Sequence, residues 1–248
     1  MSPLELTPHD AGEVLANGEI DLRGRVRWAS NATFLVSVSG GGHELPAVYK
    51  PRRGERPLWD FPEGTLCRRE VASYELSAAL GWGIVPQSVL RDGPLGEGMV
   101  QRFVEHDPEE HYFTLLEDHA DRFRRFAVFD VLANNADRKG GHCLRALDAA
   151  DPDGDDAIVG IDHGLTFHAA WKLRTVIWDF AGEPIAPPIA DEVCRVVTDL
   201  DGALGARLRV LLSPVEMDAL AQRAQVLVRD GTLPEPDPGY HSVPWPLV

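Results

Sequence analysis

Two short polar segments hold residue types that can do chemistry. Asn135-Ala136-Asp137-Arg138-Lys139-Gly140-Gly141-His142 is a loop between a helical and a strand pattern, and Gly160-Ile161-Asp162-His163-Gly164 ends a short strand. Strand patterns over 143–147 and 157–161, joined by the Asp-, Pro- and Gly-rich stretch 148–156, predict an antiparallel hairpin. That pairing sets His142 opposite Asp162, at the ~4.5–5.5 Å Cα spacing of directly opposed residues, with Asp137 on the loop just before. An imidazole and a carboxylate facing one small volume suit a divalent cation that holds phosphate oxygens, with a further carboxylate to orient a hydroxyl. The pattern equally fits an ordinary hairpin with a polar mouth, because Asp is common in loops.

A third piece is Ala47-Val48-Tyr49-Lys50-Pro51, where a lysine ends an apolar strand. The chain has only three lysines, Lys50, Lys139 and Lys172, among abundant arginine, and arginine does not always substitute for lysine. A lysine so placed can clamp the phosphates of a nucleotide when a helix carboxylate holds it, and the next helix offers Glu70 and Glu75. The alternative is an edge-strand lysine reaching to solvent.

The elements that must position these groups change along the chain. A helix over 7–17 opens with Thr7-Pro8, an N-cap followed by proline. Strands follow over 19–28, 33–39 and 45–50, with Gly40-Gly41-Gly42 as a hairpin turn. A helix over 67–80 stops at Gly81, and strands over 83–90 and 98–104 flank the turn Arg91-Asp92-Gly93-Pro94. Beyond Val104 helices dominate: one over 113–132, and two more over 191–212 and 214–229. The spacing predicts an α+β fold of two lobes with a cleft at the join, a strand-rich lobe over 1–104 and a helix-rich lobe over 105–248.

Composition narrows the function. With 44% hydrophobic and 25% charged residues the chain reads as an ordinary globular protein. A net charge of −15 disfavours non-specific binding to nucleic acid or to an anionic membrane. No apolar run approaches the ~18 residues of a membrane span, so no integral membrane association is expected. Met1-Ser2-Pro3-Leu4-Glu5 lacks the regions of a signal peptide, which points to the cytoplasm. Cys67, Cys143 and Cys194 lie far apart and read as reduced thiols.

The order Tyr49-Lys50-Pro51, Arg69-Glu70-Val71-Ala72-Ser73-Tyr74, Gly83-Ile84-Val85-Pro86, Asn135-Ala136-Asp137-Arg138 and Ile161-Asp162-His163-Gly164-Leu165-Thr166-Phe167 resembles the phosphatidylinositol 3-/4-kinase superfamily. It is most similar to the type II phosphatidylinositol 4-kinase branch with its bacterial relatives, and more distantly to HipA-type serine kinases. The resemblance runs from about Arg25 to Asp179 and implies a two-lobed protein-kinase-like fold that uses ATP with Mg²⁺ or Mn²⁺. It implies that Lys50 binds the α-phosphate, Glu70 holds Lys50, Asp137 orients or deprotonates the acceptor hydroxyl, and Asp162 is the main metal ligand. The second metal position, five residues after Asp137, is usually asparagine in the family and is His142 here. Imidazole suits Mn²⁺ better than Mg²⁺. The backbone of Gln101, Phe103 and Val104 would meet the adenine ring. The phosphate turn lacks Gly-x-Gly-x-x-Gly; Ser30 and Asn31 stand there, with backbone N–H groups that can meet phosphate.

The expected function is thus transfer of the γ-phosphoryl group of ATP to a hydroxyl on a lipid, a protein Ser/Thr or a small alcohol. The alternatives are an ATP-binding pseudokinase that acts through protein contacts, and an AMP-transferring variant of the same fold. Asp151, Asp153 and Asp155 alternate like a calcium loop, but Asp156 stands where that loop needs glycine, so a solvated turn is expected.

Overall fold

The computed structural model describes residues 7–26, 31–149 and 154–248. Packing divides the chain into two compact units, one of Met1–Val71 with Pro86–Phe103 and the other of Ala72–Val85 with Val104–Val248. The fold is α+β.

The first unit is a five-stranded antiparallel sheet of order β1-β2-β3-β5-β4, with β1 Glu19–Arg25, β2 Phe34–Gly40, β3 His43–Pro51, β4 Ser88–Gly93 and β5 Gly96–Arg102. Helix α1, Pro8–Asn17, starts where Thr7 Oγ1 accepts the Asp10 N–H (3.2 Å). The β2–β3 turn places Gly41 and Gly42 at φ +60° and +83°, a left-handed pair that matches the twist of the strands it joins. Strand alternation sorts the two faces. Val36, Val38, Ala47, Tyr49 and Val100 pack with Val14 and Leu15 of α1. Lys50 stands directly opposite Met99 on β5, and so lies on the face away from that core.

Helix α2, Leu66–Leu80, begins in the first unit and ends in the second. Its first free N–H groups, those of Leu66 and Cys67, are taken by the Glu55 carboxylate (3.1 and 2.8 Å). A carboxylate also complements the positive end of the helix dipole there.

The second unit is mainly helical: α3 Tyr112–Leu115, α4 Ala120–Ala133, α5 Pro187–Asp199, α6 Ala203–Leu208 and α7 Pro214–Asp230, with a two-stranded hairpin of β6 Cys143–Arg145 and β7 Ile158–Gly160. Phe123, Phe126 and Phe129 of α4 share a core with Val193 and Val196 of α5, Leu204 and Leu208 of α6, and Leu220 and Ala224 of α7. Ser213-Pro214-Val215-Glu216 forms a capping box, with Glu216 Oε2 accepting from the Ser213 N–H (2.8 Å), and Gly231 at φ +66° ends α7. No helix among the described residues is long and apolar enough to cross a membrane.

Several boundaries differ from expectation for local reasons. The helix expected over 113–132 breaks because His119 leaves helical geometry (φ −127°) and its Nδ1 lies 2.9 Å from Asp155 Oδ1. The helix expected over 191–212 splits because the Asp199 carboxylate accepts the N–H groups of Ala203 and Leu204 (2.9 and 3.2 Å) and starts α6. The turn expected at 91–94 sits two residues later, since Gly93 pairs with Gly96. Residues 83–87 form no strand; Gly83 at φ +59° begins a bend before Pro86.

Candidate active site

In the first unit, Lys50 Nζ forms an ion pair and hydrogen bond with Glu70 Oε1. The lysine side chain is 19% exposed and the glutamate 2%. β3 fixes the lysine backbone, and the Glu55-capped start of α2 fixes the glutamate. Glu75, the other carboxylate offered by α2, instead pairs with Arg207 (2.5 Å). A nearly buried carboxylate is retained only with a partner, and its partner here leaves an ammonium aimed from the sheet face.

Of the other nucleotide-site candidates in this unit, Gln101 is buried and its Nε2 donates to Ser88 Oγ (2.9 Å). The Phe103 N–H donates to Pro46 O (3.0 Å), so the adenine contact expected there can come only from other groups. Asn31 Oδ1 accepts the Arg56 N–H (2.9 Å), which ties the segment after β1 to the loop after β3. Ser30 lies outside the described residues. Val104 begins the second stretch of the other unit, where its carbonyl oxygen lies 2.9 Å from His106 Nδ1.

In the second unit, α4 ends at Asn134, which takes the left-handed conformation (φ +48°) suited to a helix C-terminus. The next residues form the loop that carries Asp137. That loop is held by a fully buried pair, Arg138 and Asp130, with Nη2 2.9 Å from Oδ1 and Nε 3.1 Å from Oδ2. Asn135 Nδ2 and Thr175 Oγ1 also donate to Asp130 (2.9 and 3.2 Å), and Arg138 Nη2 lies 2.7 Å from His163 Nε2. Because a guanidinium only donates, His163 accepts through Nε2 and carries its proton on Nδ1. Burial is the largest influence on Arg138 and pushes its pKa down; the charge and hydrogen bonds of Asp130, with smaller contributions from Cys143 and Asp162, together outweigh it and hold the value above the ordinary one.

Asp137 projects from this clamp. Its Oδ2 lies 3.1 Å from Lys139 Nζ, and its N–H donates to Asn135 Oδ1 (3.1 Å). Burial pushes its carboxyl above the usual range, Lys139 pulls the other way, and the Asp162 charge adds to the rise.

The hairpin brings His142 and Asp162 together, but not in the expected register. Cys143 pairs with Gly160, and the His142 carbonyl accepts the Ile161 N–H (2.9 Å), so Ile161 rather than Asp162 continues the ladder opposite His142. A slip of one residue would normally turn a side chain to the other face. Asp162 escapes this because its backbone is left-handed (φ +61°), and its Oδ2 lies 3.5 Å from His142 Nε2. The strands are also shorter than expected, three residues each.

The residues present fit a divalent cation of the type implied. One nitrogen and one oxygen donor converge; among the described residues no group of three or more His, Cys, Asp and Glu gathers, at this site or at any other. Two protein ligands suffice for a cation that takes its other oxygens from phosphates and water. His142 Nδ1 now lies 3.4 Å from the Lys139 N–H; ligation through Nε2 places the ring proton on Nδ1 and gives up that long contact. Two cavities of about 360 Å³ open elsewhere in the second unit, one beside α4 and α7 near Trp171 and Arg223, one near Leu212 and Met217; no candidate residue lines either.

Sequence reasoning passed over Asp130, His163 and Thr175. Asp130 had a readable signal, an acid inside the apolar run Phe126–Leu132.

This fold is kinase-like. It superposes on the Helicobacter pylori proinflammatory kinase CtkA with a TM-score of 0.52 at 11% identity, covering 88% of this chain and 94% of that one. It superposes on a Golgi casein kinase, solved with Mn and ADP, with a TM-score of 0.57 at 13% identity, covering 89% and 74%. No family model matches the sequence. Protein Rv2133c of Mycobacterium tuberculosis is 42% identical over 272 residues, 96% of this chain and 95% of the relative, and the chain belongs to the family of that protein.

Proposed function

We propose that this chain is an ATP-dependent kinase that transfers a phosphoryl group to a hydroxyl acceptor, of the phosphatidylinositol 3-/4-kinase type. The observation that carries this reading is the buried pairing of Lys50 with Glu70, on a fold that it shares with kinases. In this reading Lys50 binds the α-phosphate and Glu70 fixes its ammonium, while Ser30, Asn31 and the chain around Gln101, Phe103 and Val104 complete the nucleotide contacts. The helical lobe from about residue 105 carries the acceptor chemistry.

Asp162 and His142 hold Mg²⁺ or Mn²⁺, which supplies neutralisation of the phosphate charge. The Golgi kinase solved with Mn and ADP supports a nucleotide and a divalent metal here. Asp137 orients the acceptor hydroxyl and accepts its proton. Its raised pKa makes it a stronger base than an ordinary carboxylate. Lys139, 3.1 Å away, holds that charge in place. The net charge of −15 favours a soluble acceptor over one in an anionic bilayer.

The test is incubation with γ-labelled ATP and either metal, comparing wild type with Lys50→Ala. Loss of one preorganised charge-stabilising group costs about 10²–10³ in rate, and Lys50→Ala is expected to fall in that range. Equal turnover by the two proteins would sink the reading. Mass spectrometry separates an added phosphate from an added AMP; AMP would make the chain a nucleotidyl transferase. Tight ATP binding without transfer under either metal would make it a regulatory ATP-binding protein.

A further inference from the structure

We infer that the segment Tyr240–Val248 is a strap that positions the loop carrying Asp137 and His142, acting through its backbone carbonyl groups. This rests on the reading of that loop as catalytic. The loop has a weak point: Gly140 and Gly141 lie between Asp137 and His142, and paired glycines order only at a high entropic cost. They close a short 3-10 turn, Gly140–His142, whose leading N–H has no partner within the turn. Leu247 O supplies it, accepting the Gly140 N–H at 2.6 Å. Glycine is needed at 140 for close approach. A Cβ there would come within 2.9 Å of the Phe113 ring and 3.3 Å of Leu247 O.

The same segment grips the loop's other side. Ser242 O accepts both the Thr175 N–H (3.0 Å) and the Trp178 indole N–H (2.9 Å), and the Arg174 guanidinium stacks 5.0 Å from the centre of the Tyr240 ring. Residues 174–176 lie alongside the catalytic loop: Arg174 N–H donates to Asn135 O (2.8 Å), Arg138 N–H to Arg174 O (3.0 Å) and Val176 N–H to Arg138 O (3.0 Å). Asp137 thus sits in a loop whose two flanks both end on one segment.

Side-chain packing of Val243, Trp245 and Leu247 does not explain this docking. They are 45%, 86% and 41% exposed. A segment that buries Pro244 but leaves Val243, Trp245 and Leu247 exposed, while satisfying three buried or loop N–H groups, fixes geometry more than it fills a core.

The test uses the full chain beside a variant ending at Trp245, which removes the Leu247 acceptor, and a full-length Trp178→Phe, which removes one N–H from Ser242 O. Two readouts are followed: kcat against KM for ATP, and hydrogen exchange at the amides of Ala136, Asp137 and Arg138, none of which bonds to the segment. Both variants are expected to lower kcat, by about tenfold for the shortened chain, with KM for ATP changed less than twofold. Exchange at the three amides is expected to quicken about tenfold. Unchanged kcat and unchanged exchange in both variants would overturn the strap. If the full chain transfers no phosphoryl group, the kinase reading fails and exchange alone decides the strap, with unchanged protection counting against it.

Discussion

Asp130→Ala is expected to lose about 3–5 kcal/mol of stability, the range for a buried ion pair stripped of one partner. Both side chains of the Arg138–Asp130 pair are fully buried, and Asp130 also accepts from Asn135 and Thr175. Removing the carboxylate leaves a guanidinium without a counter-charge and two polar side chains without an acceptor. At ~2–4 °C per kcal/mol for a chain of this size, thermal unfolding followed by circular dichroism should move down by roughly 6–20 °C. Replacing the two residues together with apolar ones of similar volume should recover much of this, since a buried pair contributes little net stability against well-packed hydrophobic residues. A single variant within about 1 kcal/mol of wild type would contradict the clamp role given to this pair.

Asp137→Asn should have opposite effects on activity and stability. Loss of a general base typically costs about 10²–10⁴ in rate, and phosphoryl transfer by this variant is expected to fall by that much at saturating ATP. Stability should rise. The pKa of Asp137 is raised in the fold, chiefly by burial. A carboxyl shifted this way supports the fold below its ordinary pKa of 3.8 and withdraws that support as pH climbs through the folded value. The asparagine variant should therefore match wild type near pH 3 and melt higher at pH 7. Wild-type activity should fall on the acid side at a higher pH than an ordinary aspartate would give. A variant that melts lower than wild type at pH 7, or transfers phosphate as fast, would refute the assignment.

The sequence was most legible where local chemistry and strand period agree. Thr7-Pro8 and Gly41-Gly42 each name a cap or turn without tertiary context. The alternation through Ala47, Tyr49 and Lys50 separates the core face from the face that pairs with Glu70. It was least legible where a distant partner decides. His119 breaks a helix because Asp155 meets it 36 residues away, and Asp199 splits another by capping forward. The Asp130–Arg138–His163 network spans a helix, a loop and the chain after a hairpin, so no window of sequence contains it. The hairpin register was misread by one position because period-two counting has no place for a left-handed aspartate.

That aspartate has a practical consequence. An L-residue with a side chain at φ +61° carries strain on the order of 1 kcal/mol, which glycine would relieve. Asp162→Gly therefore makes a better inert control than the usual alanine exchange, since it deletes the carboxylate while easing the chain. For the native chain it means that position 162 carries its side chain at a small backbone cost, which the proposed role of Asp162 as a metal ligand would account for.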